Sequence, residues 1–282
     1  MDVLVLGARG GLGRLVASEL TLRGHRILTV TRAQARDATA LAATGARAIV
    51  NCAGASVAFG FGHGWRGYRA VDTPIGLAAV DAARRLDARM VYVGVHHSAA
   101  FASCWYIDAH ERVARAMRDI DGVVVRPTGF FSAFASLIPL ARRGMLVDIG
   151  DGRVLTNPID EHDLAAIVAE SVDGDGPREI ACGGPEVMSR RAVFELVAAA
   201  AGRPETKIRG MPVWLARMST AALCAVHPRM GQFARFAVLL AQHDMIAPAL
   251  GTMTLARYFQ APYGGNIATT EASTAAPSHS QM

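Results

Sequence analysis

The chain has 282 residues, 51% of them hydrophobic, with 29 Lys and Arg against 24 Asp and Glu, a formal charge of +5. That is enough apolar material for one large α/β domain or a domain with an attached lobe. The basic pairs Arg84-Arg85, Arg142-Arg143 and Arg190-Arg191 are scattered, which reads as solvated helix faces and argues against a nucleic-acid track. No apolar run approaches the ~20 residues of a membrane span, and no basic leader precedes the first strand, so a soluble, cytoplasmic protein is expected. Cys52, Cys104, Cys182 and Cys224 lie far apart without metal-ligand spacing, as reduced and mostly buried thiols would.

The first element is a strand, Asp2 to Leu6, running into Gly7-Ala8-Arg9-Gly10-Gly11-Leu12-Gly13. A helix follows, with Leu12, Leu15, Val16 and Leu20 on one face and Gly24 as its stop. Strand, glycine turn and helix in this order make a dinucleotide pocket: the glycines permit a tight turn, close backbone approach to a pyrophosphate and close helix–sheet packing. A second strand, Ile27 to Thr31, stops at Arg32, where an NAD site usually carries a carboxylate. A guanidinium there suits a ribose 2′-phosphate, so NADP(H) is expected over NAD(H), with Arg9 as a possible second cation.

A short helical stretch over 33–44 leads to the strand Ala48 to Asn51, closed by Cys52-Ala53-Gly54, small residues where a sheet edge must let a cofactor lie close. So few residues separate Arg32 from Asn51 that the usual third strand has little room. The glycine- and aromatic-rich stretch 55–68 is a candidate lid or an ordinary long connection. A helix over about 73–86, a strand 90–95 ending in His96-His97-Ser98, a helix over about 106–118 and a strand 122–126 followed by Pro127 continue the alternation. This is the pattern of a doubly wound parallel sheet, Rossmann-type α/β.

The second half is less regular. It predicts helices over 130–142, 160–171, 189–201, 214–226 and 231–242, a hairpin-like piece over 145–154 and a short strand at 179–181. Ser189 is a plausible N-cap, and Asp160, Glu161 and Asp163 read as the charged start of a helix. His96 and His97 lack a third ligand, so no metal site is expected. The two last apolar helices suit a pocket cover, a dimer face or a membrane surface. From about Gly264 the chain has no periodicity, and 263–282 is expected to be a disordered tail.

By Arg126-Pro127-Thr128-Gly129-Phe130-Phe131 the chain resembles the extended and atypical short-chain dehydrogenase/reductases, especially the NmrA-like, NAD(P)H-binding group. Further carriers are the glycine turn, Arg32, Asn51 to Gly54, Val91-Tyr92-Val93, Tyr106 four residues before His110, and Gly183-Gly184-Pro185-Glu186; together they cover about residues 1–260. The resemblance implies a dinucleotide-binding domain over 1–127 and a smaller C-terminal substrate lobe over 128–262, partly intertwined with it. It places Gly54 by the adenosine, and Pro127, Thr128 and Phe130 near the nicotinamide. Phe130 and Phe131, as apolar wall residues, suit a hydrophobic substrate.

Two departures from the family stand out. Its Tyr-x-x-x-Lys pair is here Tyr106 and His110, on one helix face but with imidazole for ammonium. Its serine is absent after the central strand, where His96, His97, Ser98 and Ser103 are the candidates to stand in. The leading expectation is an NAD(P)H-dependent oxidoreductase acting on a small, partly apolar carbonyl or unsaturated compound. Tyr106 would donate the proton, and His110, titrating near neutral pH, would orient the ribose or relay a proton. The alternatives are a cofactor-binding regulator or assembly factor without turnover, and an isomerase, epimerase or lyase that retains its nicotinamide. A homo-oligomer is compatible with either class.

Overall fold

The computed structural model describes residues 1–54, 65–174 and 176–260. Most of the proposed lid and all of the expected tail lie outside them.

Six parallel strands form the central sheet in the order β2-β1-β3-β4-β5-β8. They are β1 (Asp2–Leu6), β2 (Arg26–Leu28), β3 (Ala48–Asn51), β4 (Arg89–Val93), β5 (Gly122–Pro127) and β8 (Glu179–Cys182). Near-continuous apolar runs are what a sheet covered on both faces requires, and their alternation sorts the side chains. Val3, Val5, Val50, Val91 and Val123 pack with Val16 and Leu20 of α1 (Gly11–Leu22) and Leu164 and Val168 of α7 (Glu161–Asp173). Leu4, Leu6, Ile49, Met90 and Val124 face the other way, toward α3 (Tyr68–Leu86) and α4 (Trp105–Ala116). α3 and α4 lie close because Gly76 faces Val113: a Cβ on Gly76 would come within 2.2 Å of the valine Cγ2.

No strand lies between Arg32 and β3. A 3-10 turn (Gln34–Arg36) and the short α2 (Ala38–Ala42) fill that interval, as the scarcity of residues there predicts. β2 ends at Leu28, earlier than its apolar run, because Thr31 and Gln34 fold the chain into a local turn. The Thr31 amide and hydroxyl both donate to Gln34 Oε1, and the Gln34 amide donates back to Thr31 Oγ1. Arg32 therefore sits on an exposed turn and not at a strand end.

Three further expectations change in the second half. The helix over 130–142 divides into α5 (Phe131–Ala135) and α6 (Ile138–Arg142), with Pro139 in the first turn of α6, where its missing N–H is tolerated. The hairpin over 145–154 does not form. β6 (Val147–Ile149) pairs in parallel with β10 (Arg209–Met211), and β7 (Leu155–Thr156) pairs antiparallel with β9 (Met188–Ser189). Gly150 and Gly152, with φ of +78° and +72°, bend the chain between the two ladders. The acidic start of α7 makes tertiary links in place of caps. Glu161, buried and with its pKa raised by that burial, accepts from the Ser132 amide; Asp163 accepts from the amides of Thr252 and Met253.

The rest of the lobe is α8 (Arg190–Ala200), whose Ser189 hydroxyl caps it as expected, then α9 (Val213–Val226), α10 (Pro228–Leu240) and α11 (Leu255–Gln260). β8 pairs with β5 and α7 packs on a face of the main sheet, although both follow residue 127 in the chain.

Candidate functional site

β1 and β3 are neighbours whose following helices, α1 and α3, cover opposite faces of the sheet, which opens a crevice at the strands' carboxyl ends. The glycine turn occupies it. Gly7 has φ +81°, and a Cβ there would sit 2.9 Å from the Ala53 backbone at the end of β3. A Cβ on Gly13 would lie 2.1 Å from the Gly7 carbonyl oxygen, whereas one on Gly11 would meet nothing within 4 Å. Gly10 is the N-cap of α1 and supplies no side-chain acceptor, and the first turn holds no acidic residue. The amides of Gly11, Leu12 and Gly13 thus begin a helix with an open, positively polarised end. These features fit a pyrophosphate.

Around the turn, Asn51 is 1% exposed; its Oδ1 accepts from the Ala53 amide at 3.0 Å, and its Nδ2 has no partner among the described residues. Gly54 faces Asp72, whose Oδ1 would be 3.8 Å from a Cβ at that position. Cys52 is no nucleophile, since burial pushes its thiol up to about 12. Arg9 and Arg32 are exposed and form no ion pair with a described residue. Pro127 and Thr128 stand at the end of β5, where the Thr128 hydroxyl donates to the Asn157 carbonyl at 2.7 Å.

The second group of candidates lies on α4. Tyr106 and His110 share a face, their rings 4.8 Å apart at 80°. Tyr68 of α3 meets the Tyr106 ring edge-on at 4.7 Å, and Phe236 of α10 meets it at 4.8 Å. This aromatic enclosure raises the Tyr106 phenol well above its usual range, so it stays protonated. His110 is buried, and desolvation pushes its pKa down to about 4, so the near-neutral titration expected of it does not occur. Its Nδ1 lies 2.6 Å from the Tyr92 hydroxyl. Burial also raises the Tyr92 pKa, so the phenol is the donor, Nδ1 the acceptor, and the proton of the neutral ring sits on Nε2. That Nε2 has no hydrogen-bond partner among the described residues.

A charged cluster adjoins this face. Glu111 accepts from His97 Nε2 at 3.0 Å and from Arg126, which also pairs with Glu179. The bond from His97, then that from Arg126, holds the Glu111 carboxyl down to about 2. His97 is thereby tied to Glu111, while Ser98 and Ser103 are exposed. Phe131 is 1% exposed and packs on Tyr258 in the lobe's core, so of the two proposed wall residues only Phe130 is half-buried at a site edge. The roles of Tyr92, Glu111 and Arg126 are not legible in the sequence, because a strand tyrosine, a helix carboxylate and a strand guanidinium carry no mark of what they will face. No three His, Cys, Asp or Glu side chains converge among the described residues.

No family model matches the chain. It is similar to the divinyl chlorophyllide a 8-vinyl-reductases of Zea mays and Oryza sativa subsp. indica, each 31% identical over 229 residues. Those alignments take in 65% of this chain and 55% and 54% of the two enzymes, so the chain spans about half the length of the curated relatives it matches. Among solved structures, it resembles the NADPH-dependent quinone oxidoreductase QOR2 of Escherichia coli, with TM-score 0.66, 17% identity, and coverage of 92% of this chain and 99% of that one. The human epimerase family protein SDR39U1 gives TM-score 0.64 at 19% identity with the same coverage. A Thermotoga maritima UDP-glucose 4-epimerase gives 0.60 at 13%, covering 75% and 86%. At these identities the likenesses to solved structures are likenesses of fold, a parallel sheet of Rossmann type with a glycine turn after its first strand.

Proposed function

We propose that the protein is an NADPH-dependent reductase of a small, partly apolar carbonyl or unsaturated compound. The observation that carries this reading is the open helix end between Gly7 and Gly13 at the β1/β3 crevice; a protonated, half-buried phenol on α4 supplies a proton donor. QOR2 and SDR39U1 were solved with NADPH, and the curated relatives reduce a vinyl group, which supports both cofactor and chemistry. A bound nicotinamide would supply the hydride.

The chain's own residues have separable tasks. Backbone amides at Gly11 to Gly13 hold the pyrophosphate, and Arg32, helped by Arg9, favours the phosphorylated ribose. Asn51 offers its unpartnered Nδ2, and Ala53, Gly54, Pro127 and Thr128 let the cofactor lie against the sheet edge. Tyr106 donates the proton that completes reduction. His110, fixed by Tyr92, presents Nε2–H toward a ribose hydroxyl or the substrate and keeps its protonation state across the physiological range. Tyr68, Phe236 and Phe130 supply an apolar setting. The four free, widely spaced thiols support a reducing, cytoplasmic compartment.

The test pairs binding with turnover. NADPH should bind more tightly than NADH, and Arg32→Glu should weaken NADPH about tenfold or more while leaving NADH little changed. Tyr106→Phe should lower turnover by about 10²–10⁴ and leave NADPH affinity unaltered. Failure to bind either nucleotide sinks the proposal. The lysine position held by His110 favours one second reading, a cofactor-binding regulator. NADPH binding without oxidation across a carbonyl and enone panel, unaffected by Tyr106→Phe, would select it. Nicotinamide that survives purification without net redox would select an epimerase.

A further inference from the structure

α9 is the most exposed apolar element of the described chain. Ala216 is its one buried residue, and the helix packs against α10, where Cys224 meets Gly231. At 100° per residue, Trp214, Leu215, Met218, Ala222, Ala225 and Val226 fall within a sector of about 120°. All six are exposed, with Trp214 at 63%, Met218 at 64% and Val226 at 68%. A water-facing helix surface ordinarily carries charge in such a sector; this one carries none.

The surrounding charge is mostly positive. Residues 206–243, between Glu205 and Asp244, contain no Asp or Glu, and their exposed cations are Lys207, Arg209, Arg217 and Arg235. Lys207 and Arg209 are exposed just before α9, Arg217 is exposed at the edge of the apolar sector, and Arg235 is exposed on α10. The nearby acids of the β6 strand and its turn are already engaged, Asp148 by Arg190 and Asp151 by Arg153. An apolar stripe bearing tryptophan and rimmed by exposed cations matches an anionic phospholipid surface in both hydrophobicity and charge. A second copy of this chain would bring the same cations against themselves.

We infer that α9 docks on an anionic phospholipid bilayer. Trp214 and Met218 enter the headgroup–acyl boundary, and Lys207, Arg209 and Arg217 lie among the phosphates. No described helix is long and apolar enough to cross a membrane, so the attachment is peripheral. α10, on the inner side of α9, touches Tyr106 through Phe236 and Tyr68 through Gln232. Docking therefore brings the roof over Tyr106 to the lipid boundary. The inference goes beyond the reductase reading and is tested without cofactor or substrate, so either can fail alone.

The experiment is flotation of the full chain with phosphatidylcholine vesicles, with and without phosphatidylglycerol, monitored in parallel by tryptophan emission. Binding is expected only to the anionic vesicles, with a blue shift, and weakened about tenfold or more by high salt. The double substitution Trp214→Ser/Met218→Ser should weaken it at least tenfold, as should Lys207→Glu/Arg209→Glu, with circular dichroism and the urea unfolding midpoint unchanged. Absence of vesicle binding, or binding indifferent to both double substitutions, overturns the inference. A dimer that these substitutions dissociate, without vesicle binding, assigns the face to a second copy and overturns it too.

Discussion

A buried imidazole that accepts a phenol proton at Nδ1 has one tautomer left to it. His110 is in that position, and the consequence is a pH dependence of stability. Its pKa is about 4 in the fold and near 6.5 when unfolded. Between those values the unfolded chain takes up a proton that the native one refuses. The contribution is complete above pH 6.5 and lost as pH falls through the window, on the order of 3 kcal/mol in all. His97, raised chiefly by its bond to Glu111, acts with the opposite sign, its share being lost as pH rises. Glu111, held near 2, matters only below its ordinary range. Comparing His110→Gln with the parent isolates the imidazole. Urea midpoints at pH 7, 5.5 and 4.5 should fall less steeply in the variant, and equal slopes would remove His110 as the source.

At the scale of the element, the glycine turn combines required and incidental glycines, and the structure separates them. Gly13 touches the Gly7 carbonyl so closely that a methyl group must displace either the helix or the turn; Gly11 faces open space. Gly13→Ala should cost about 1–3 kcal/mol in urea unfolding and weaken NADPH at least tenfold. Gly11→Ala should be neutral or slightly stabilising, since alanine is the better helix former. Equal behaviour of the two variants would mean that the turn relaxes freely. The spacing alone does not rank these glycines, because the rank comes from contacts across the turn and with β3.

Over the whole molecule, the lobe is held by a residue that no motif announces. Asn157 is 0% exposed; its Nδ2 donates to the carbonyls of Gly184 and Ala247, and its Oδ1 accepts from the Ala247 amide. It thus joins the segment after β7, the Gly183-Gly184 turn beyond β8 and the stretch leading to α11. The turn is made of glycines because side chains there would strike Asn157 and Pro158. Asn157→Ala strands three buried backbone partners and should lower stability by on the order of 2–4 kcal/mol. Urea unfolding followed by both fluorescence and circular dichroism measures this; a loss below half a kcal/mol would show that water replaces the amide at little cost.

The amino-acid sequence by itself determined the parallel sheet, the glycine turn, the position of the missing third strand and the cap of α8. Each of these is a local matter of apolar period, glycine steric freedom or a hydroxyl one turn from an amide. Only the tertiary structure decided that Arg32 stands on a turn, that β6 and β7 find distant partners, and that Phe131 is core. It also decided that His110 is neutral and bound to Tyr92. These outcomes depend on which surfaces meet after the chain has closed, because burial and the neighbouring charges set both a proton's affinity and a strand's partner.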